Sequence, residues 1–323
     1  MIKIGIIGAG FIGLIHAEAY LKIKGAEIVA VSDKDNNKLR KFAEKYSVKR
    51  TFNDLSILDE QEIDVIDICL PTPLHLPVAL QAIRRGKNVI IEKPIALTTK
   101  EGIKILKEAQ KTKKIIMVAH VLRFWEEYVI IKNIVKEGII GEIREIFMYR
   151  INELPLWSQG NWLLDIKKSG GIIIDLMIHD IDFTYWILGM PDKISVSGLR
   201  NDNDFPVEAL ITLHYKNNVK VYIEGGYLHP PNGGLRSGVR VYGSKGSIYS
   251  DSSKNKVEII TKDGKEYIPL KNKDGYKEEL EYFINCVKKN RQPDIITLED
   301  AIKSLEIAIK AKKIFDRAVK KWK

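Results

Sequence analysis

The stretch IKIGIIGAGFIG at residues 2–13 joins a short apolar run to a cluster of glycines. Three of these glycines have the spacing G-x-G-x-x-G, between a predicted strand and a predicted helix. In such a turn the first glycine permits a sharp bend, the second lets backbone approach a pyrophosphate, and the third lets helix and strand pack closely. The helix start also offers N–H groups and a positive dipole end to phosphate. The residues expected to contact a dinucleotide here are Gly8, Gly10, Phe11, Ile12 and Gly13.

A carboxylate follows the glycines at the spacing that a ribose contact requires. The second predicted strand, EIVAVSD, ends at Asp33, about 20 residues beyond the last glycine of the motif. A carboxylate at this position can accept both ribose hydroxyls of an adenosine and would repel a 2′-phosphate. The sequence therefore predicts NAD as the cofactor. The neighbouring Lys34 leaves NADP possible, because a cation could offset the added charge.

Strand-like and helix-like patterns alternate from residue 1 to about residue 120. Further apolar strands are predicted at VIDICL, NVIIEK and KIIMVAH, with amphipathic helical segments between them. Such alternation is typical of an α/β fold in which a parallel sheet is covered by helices on both faces. Beyond residue 120 strand-like segments follow one another, so we predict two domains, 1–120 and 121–323, with a last helix at about 297–319 that can pack back on the first domain.

Composition and charge exclude several classes of protein. The chain has 323 residues, enough for two cores, and 45% of them are hydrophobic. No apolar run reaches the ~20 residues of a membrane span, and the start lacks the features of a signal peptide. Two cysteines in apolar contexts indicate free thiols in a cytoplasmic protein, and no Cys/His spacing suggests a metal site. The net charge of +10 comes from lysines interleaved with glutamates, which is typical of solvated helices rather than of nucleic-acid binding.

Several motifs in a fixed order closely resemble the signature of the Gfo/Idh/MocA oxidoreductases, over essentially the whole chain. They are the glycine motif, TPLH at 72–75, EKP at 92–94, VLRF at 121–124 and GGIIIDLMIHDID at 170–182. The resemblance implies a Rossmann domain with a doubly wound parallel sheet. It also implies a C-terminal α+β domain whose large, mostly antiparallel open sheet commonly mediates oligomerisation, so a homodimer or homotetramer is expected.

The EKP motif places a charged pair at the end of an apolar strand. In a doubly wound sheet ligands lie outside the carboxyl ends of the strands, so Lys93 can point towards the nicotinamide, and Pro94 restricts the lysine's direction. The resemblance implies that Lys93 contacts the reacting hydroxyl or carbonyl oxygen, where a cation stabilises alkoxide character. Glu92 is expected beside the cofactor. The alternative is a helix-start turn with a surface lysine.

The motif GGIIIDLMIHDID carries the second group of candidates. Asp175 and His179 are four positions apart in the sequence, so one helix would place them on one face. The resemblance implies that both line the substrate pocket. His179, with an ordinary pKa of ~6.5, can take the hydroxyl proton, and Asp175 can orient substrate and imidazole. Asp180 and Asp182 point to other faces and are interpreted as structural. Without the other motifs this pair could equally be an ordinary helix surface.

Other candidates have alternatives that the sequence leaves open. Leu70, Thr72 and His75 are expected on the cofactor side, although His75 could simply cap the following helix. Arg123 is expected to hold sugar hydroxyls, unless it is a plain surface arginine. Asn161 and Trp162 are expected to face the substrate, as Trp157 and His229 could, although packing explains the tryptophans nearly as well.

The predicted function is transfer of a hydride between NAD(H) and a secondary alcohol or ketone of a polyol, inositol or sugar derivative. Two alternatives remain: an NAD-dependent glycosidase of the same fold, and a non-catalytic regulator that binds a dinucleotide. Persistent NADH production argues against the glycosidase. Ligand-dependent binding of a partner without turnover would favour the regulator.

Overall fold

The computed structural model describes residues 1–319, without the side chain of Gln159. This part of the chain forms fourteen strands and ten α-helices. The strands are β1 (Ile2–Ile7), β2 (Ala26–Ser32), β3 (Arg50–Phe52), β4 (Val65–Ile68), β5 (Asn88–Glu92), β6 (Ile116–Ala119), β7 (Ile143–Glu153), β8 (Lys193–Arg200), β9 (Pro206–His214), β10 (Lys220–His229), β11 (Arg236–Gly243), β12 (Gly246–Asp251), β13 (Lys256–Thr261) and β14 (Gly264–Pro269). The helices are α1 (Phe11–Tyr20), α2 (Asn36–Tyr46), α3 (His75–Arg84), α4 (Thr99–Ala109), α5 (Glu126–Lys136), α6 (Ile166–Ser169), α7 (Gly171–Asp175), α8 (Ile178–Leu188), α9 (Gly275–Lys289) and α10 (Leu298–Ala318).

The chain divides into two compact units. Within the described residues, unit 1 comprises 1–121 and 274–302, and unit 2 comprises 122–273 and 303–319. The sequence predicts one domain for 121–323, whose last helix can pack back on the first domain. The structure instead groups α9 and the first residues of α10 with the N-terminal part of the chain.

Unit 1 is built on a six-stranded sheet with the order β3-β2-β1-β4-β5-β6. All of its neighbouring strands are parallel. Every residue of β4, β5 and β6 is buried, as expected for strands covered on both faces. The chain order reverses between β1 and β4, and this is the position at which open α/β sheets bind their ligands. The predicted Rossmann sheet is confirmed.

Several helices of unit 1 begin where the sequence supplies side-chain caps. Asp35 accepts hydrogen bonds from two backbone N–H groups at the start of α2. Thr98 and Glu101 form a reciprocal capping box at the start of α4, which satisfies two otherwise unpaired donors. In contrast, α1 starts after Gly10, which has no side chain to cap it. The start of α1, like that of α3, therefore has no side-chain cap.

Unit 2 is built on an eight-stranded sheet with the order β14-β13-β12-β11-β7-β10-β9-β8. Its pairs are antiparallel apart from β7 with β10. Alternate residues of β7 are buried, and α7 and α8 pack against the central strands. Between the buried positions Phe147 is 37% exposed and stacks on Tyr222, with ring centroids 4.6 Å apart. The mostly antiparallel sheet predicted for this half of the chain is confirmed.

Candidate active site

The glycine turn of unit 1 is shaped by close backbone approaches. Gly8 has φ +110°, and a Cβ atom there would lie 2.3 Å from the carbonyl oxygen of Cys69. A Cβ atom on Gly13 would lie 2.0 Å from the carbonyl oxygen of Gly8. Neither position accepts a side chain, which matches the turning and packing roles expected of them.

Gly10 differs from the other two glycines because its missing side chain faces open space. A Cβ atom there would meet nothing within 4 Å. The first turn of α1 contains no acidic residue that would repel an anion. Open space at an uncapped helix start is the arrangement that binds phosphate groups. The residues present therefore fit the pyrophosphate of a dinucleotide.

Asp33 directly follows β2 and stabilises this turn by hydrogen bonding. Its Oδ2 accepts the backbone N–H of Ala9 at 2.8 Å, and its Oδ1 accepts that of Asp35 at 2.8 Å. Each carboxylate oxygen keeps capacity for a second hydrogen bond, so Asp33 can still accept ribose hydroxyls. The contact with Ala9 also fixes the carboxylate relative to the glycine turn.

The EKP motif lies at the carboxyl end of β5, as predicted. Glu92 is the last residue of the strand, Lys93 is half-buried, and the Lys93–Pro94 peptide bond is cis. Glu92 is 7% exposed, and its Oε2 accepts the backbone N–H of Lys93 at 3.0 Å. The carboxylate of Glu92 is therefore turned into unit 1 and anchors the lysine, rather than being presented to a cofactor as expected.

His75 holds the same segment from its other side. Its ring is 1% exposed, with Nδ1 2.8 Å from the Pro94 carbonyl oxygen and Nε2 2.7 Å from that of Leu70. Burial lowers the pKa of His75, although the two carbonyl groups act in the opposite direction. Both ring nitrogens already face backbone groups, which corrects the expectation that His75 binds the cofactor. It ties the turn after β4 to the EKP segment.

A buried polar cluster lies beside this segment, and sequence analysis assigns it no role. Nδ1 of His16 lies 2.8 Å from Oδ2 of Asp67, and Nε2 lies 3.1 Å from Oε1 of Glu92. The thiol of Cys69 donates to Oδ1 of Asp67 at 3.3 Å. Burial alone would lower the pKa of His16, but Asp67 and Cys69 raise it well above its usual value. Asp67 is the one charged residue in the otherwise apolar strand β4. A charge in a buried strand is the sequence signal that could have indicated this cluster.

Asp175 and His179 lie on two consecutive short helices of unit 2, not on one helix. Helix α7 ends at Asp175 and α8 begins at Ile178. The backbone N–H of Met177 bonds to the carbonyl of Ile172, five residues back, and this wider turn interrupts the helix. Met177 is fully buried, and a Cβ atom on Gly225 would lie 2.2 Å from its Cγ atom. Packing of Met177 on β10 thus overrides the continuous helix that the spacing predicted.

Tyr227 on β10 is a further candidate that sequence analysis did not identify. Its hydroxyl donates to Oδ2 of Asp175 at 3.5 Å, and burial together with Asp175 raises the pKa of this tyrosine well above its usual value. The tyrosine therefore stays neutral and keeps its donor proton. Asp175 and His179 are half-buried, and Nδ1 of His179 is buried.

Arg123 does not have the role expected of it. Its side chain is 1% exposed, and Nε and Nη2 each donate to an oxygen of Asp182 at 2.8 Å. Asp180 binds Arg150 in the same way, with Nε and Nη2 at 2.8 and 2.9 Å. Both aspartates are therefore structural, as predicted. Arg123 is an internal ion-pair partner and not a ligand for sugar hydroxyls.

The remaining candidates lie in turns at the ends of elements. Phe11 is 59% exposed as the first residue of α1, with Ile12 half-buried after it. Leu70 is near the glycine turn, since a Cβ atom on Gly8 would lie 3.4 Å from its Cδ2 atom, and Thr72 is buried at the start of a short 3₁₀ turn. In unit 2 Asn161 is exposed and Trp162 is half-buried. Trp157 is 56% exposed, while Nδ1 of His229 bonds to the carbonyl of Gly234.

Comparison with known proteins agrees with this architecture. Residues 2–120 match the model of an oxidoreductase family with an NAD-binding Rossmann fold, and residues 128–249 match the GFO/IDH/MocA C-terminal domain. The protein is thus an NAD-binding oxidoreductase. The chain belongs to the GFO/IDH/MocA family. No helix of the described part of the chain is long and apolar enough to span a membrane.

Several relatives match over nearly their whole length. The myo-inositol 2-dehydrogenase of Thermotoga maritima is 27% identical, with 98% of each chain aligned. The NAD(+)-dependent scyllo-inositol 2-dehydrogenase of Bacillus subtilis is 26% identical over 97% of this chain and 94% of the relative. The crystal structure of myo-inositol 2-dehydrogenase from Lactobacillus plantarum superposes with a TM-score of 0.84, at 26% identity and 98% coverage of both chains.

Proposed function

We propose that the protein catalyses NAD(H)-dependent interconversion of a secondary alcohol and a ketone on a polyol, inositol or sugar derivative. The observation that carries the proposal is the position of Lys93. It follows β5 at the same edge of the sheet as the glycine turn, with its backbone anchored by Glu92. Inositol dehydrogenases among the full-length relatives support this class of substrate.

Lys93 and His179 have complementary roles in the proposed reaction. Bound NAD⁺ supplies the acceptor for the hydride of the carbinol carbon. Nζ of Lys93 donates to the substrate oxygen and stabilises its developing negative charge. Nε2 of His179 takes the hydroxyl proton in oxidation and returns it in reduction. Asp175, held by Tyr227, orients the substrate or stabilises the imidazolium of His179.

The two units divide this work in the proposal. Unit 1 binds the dinucleotide through the glycine turn, Leu70 and Thr72, and Asp33 selects NAD over NADP by accepting the ribose hydroxyls. Unit 2 binds the substrate, with Asn161 and Trp162 as further contacts. Unit 2 also associates with a second copy through the exposed face of its sheet, giving a homodimer or homotetramer. We place the protein in the cytoplasm because its two cysteines are buried free thiols.

A screen of NAD⁺ reduction tests the function directly. Inositols, aldoses, sugar acids and amino sugars are supplied one at a time, and NADH is followed by absorbance. We expect sustained NADH formation with at least one inositol or related polyol, and much less with NADP⁺. Cleavage of an aryl glycoside without net NADH would overturn the proposal in favour of a hydrolase. The matched control is Lys100→Met, which removes an exposed lysine from α4 and should leave every rate unchanged.

A further inference from the structure

The buried cluster of His16, Asp67 and Glu92 has no role in the reaction described above. His16 comes from α1, Asp67 from β4 and Glu92 from the end of β5, so the cluster joins three elements of unit 1. Their side chains are 0%, 0% and 9% exposed. Ionisable groups are costly to bury unless they are paired, so an arrangement of this kind needs a physical reason.

The geometry favours a proton on both ring nitrogens of His16. Each nitrogen faces a carboxylate oxygen, Nδ1 that of Asp67 at 2.8 Å and Nε2 that of Glu92 at 3.1 Å. Ionised carboxylates only accept, and a neutral ring would turn a lone pair towards one of them. The second contact is an ion pair without the alignment of a hydrogen bond. The imidazolium form removes the repulsion at both ends, and the raised pKa of His16 agrees with it.

Glu92 links His16 to the backbone of the proposed catalytic lysine. One carboxylate oxygen of Glu92 faces His16, and the other accepts the backbone N–H of Lys93 at 3.0 Å. We propose that His16 is a positioning residue, an imidazolium that fixes the Glu92 carboxylate and through it the backbone from which Lys93 reaches the substrate. The proposal rests on the function proposed above.

The same cluster could be read as a metal site, but its protons argue against this. The ligand atoms of His16, Asp67 and Cys69 lie within 4.8 Å of one another. Nδ1 of His16 and the thiol of Cys69 both donate to Asp67, so protons occupy the space between these atoms. Burial and Asp67 raise the pKa of Cys69, which keeps the thiol protonated. A metal ion would need both groups deprotonated.

In the described part of the chain, the charged and titratable groups that face His16 come from unit 1. Asp67 lies in β4 and Cys69 directly follows it, Glu92 ends β5, and the ring of Tyr276 on α9 lies 6.0 Å from the His16 ring. Tyr20, one turn further along α1, also faces Asp67, and burial raises its pKa, as does Glu279 of α9. These groups are acids, so His16 supplies the positive charge of the cluster.

Two substitutions at one position separate positioning from packing. In His16→Gln the amide nitrogen takes the place of Nε2 and can still meet Glu92. In His16→Asn the amide nitrogen takes the place of Nδ1. It can then donate to Asp67, but no donor faces Glu92. We expect His16→Asn to lower kcat by about tenfold or more, with KM for NAD⁺ within about twofold, because only the lysine is displaced. His16→Gln keeps a donor to Glu92 but not the positive charge, so its kcat should fall less than that of His16→Asn.

The controls are the same substitutions at His214, whose ring hydrogen-bonds to Ser195 in unit 2. These control substitutions should leave kcat unchanged. Equal kcat in His16→Asn and wild type would overturn the proposal. So would equal losses of kcat in His16→Asn and His16→Gln. If the wild-type protein does not reduce NAD⁺ with any substrate, the proposed function is refuted instead. The NMR measurement described next would still decide whether His16 is protonated.

The charge of His16 can be measured in the unaltered protein. Selective ¹⁵N labelling of histidine gives a spectrum of the six imidazoles, in which His16 is assigned by its loss in a His16 variant. From about pH 6 to about pH 8 we expect both nitrogens of His16 to keep the shifts of an imidazolium, while an exposed histidine titrates. A neutral ring at about pH 7, or a metal-bound nitrogen that responds to a chelator, would overturn the proposal.

Discussion

Arg123 and Asp182 form a bidentate ion pair in unit 2, with Nε and Nη2 of the arginine each 2.8 Å from a carboxylate oxygen. Both side chains are 1% exposed, and Ser304 also donates to Asp182 at 2.7 Å. A pair buried to this degree stabilises the fold only as a pair, because either charge left alone is strongly unfavourable.

Arg123→Met should therefore act on stability and not on substrate binding. We expect the free energy of unfolding to fall by about 3–5 kcal/mol, since Asp182 is left as a buried charge. Urea unfolding followed by circular dichroism measures this, with KM determined on the folded fraction. Arg144→Met, on an exposed position of β7, should change stability by no more than about 0.5 kcal/mol. Unchanged stability together with a raised KM would indicate that Arg123 binds the substrate after all.

Asp33 allows a test of cofactor choice. Asp33→Ser removes a ribose acceptor and a charge that repels a 2′-phosphate, so KM for NAD⁺ should rise while NADP⁺ becomes relatively better. Initial rates with both cofactors give the ratio of kcat/KM values. Asp35→Ser is the matched control, because Asp35 caps α2 and serine is also a good cap. A wild-type enzyme that already prefers NADP⁺ would contradict the assignment of Asp33.

The pKa of His16 predicts how stability changes with pH. In the folded protein this pKa is raised well above 6.5, whereas the unfolded chain has an ordinary histidine. Between the two pKa values the folded state holds a proton that the unfolded state has lost, so stability falls as pH rises. The contribution is complete below about pH 6.5 and disappears as pH passes the folded-state pKa. Urea unfolding at several pH values should show this decline, and His16→Gln should flatten it. An identical decline in the variant would assign the effect to other groups.

The exposed face of the unit 2 sheet predicts association. Phe147 and Tyr222 stack on that face, and Phe147 also meets Tyr242 edge to face, at 6.2 Å between ring centroids. Phe147→Glu should disrupt the proposed interface and yield a monomer, because a buried interface does not accommodate an unpaired charge. Solution scattering at micromolar concentration measures the mass. Ile103→Glu places the same charge on an exposed position of unit 1 and should leave the mass unchanged. A wild-type monomer would contradict the prediction.

The parts of the structure that follow local rules were predictable from the sequence. Gly8 and Gly13 adopt backbone positions that leave no room for a Cβ atom, and such positions are visible as glycines. The parallel strands were visible as apolar runs, whereas β3 was not predicted because it has three residues and none of them is buried. Local pattern thus gave the cofactor turn and the order of elements.

The errors came from residues whose role depends on distant parts of the chain. Arg123 is paired with Asp182, 59 residues away, and His75 with the carbonyl of Pro94, 19 residues away. Spacing placed Asp175 and His179 on one helix, but Met177 packs between them on β10 and interrupts it. A sequence motif identifies residue types that are able to bind a ligand. It does not identify those already paired within the fold.

Lys93→Met tests the lysine of the EKP motif. The substitution keeps an unbranched side chain of similar length and removes its charge and donors. Affinity for NAD⁺ should be largely retained, because the proposed contacts of the cofactor are with the glycine turn and Asp33. Turnover should fall by roughly a hundredfold or more, since one donor to a developing charge is worth about 3 kcal/mol. Near-normal turnover would remove Lys93 from the mechanism.

His179→Ala, combined with Lys93→Met, tests whether the two residues serve one reaction. The single substitution should lower kcat by ~10²-fold or more, with partial recovery at high pH as hydroxide replaces the missing base. His214→Ala is its control, since His214 lies on β9 with Ser195 as its partner. If Lys93 stabilises the same oxygen whose proton His179 accepts, loss of one residue reduces the contribution of the other to kcat. The double variant should then be much more active than the product of the two losses predicts. Multiplicative losses, measured as kcat under saturating substrate, would show that the two residues act in independent steps.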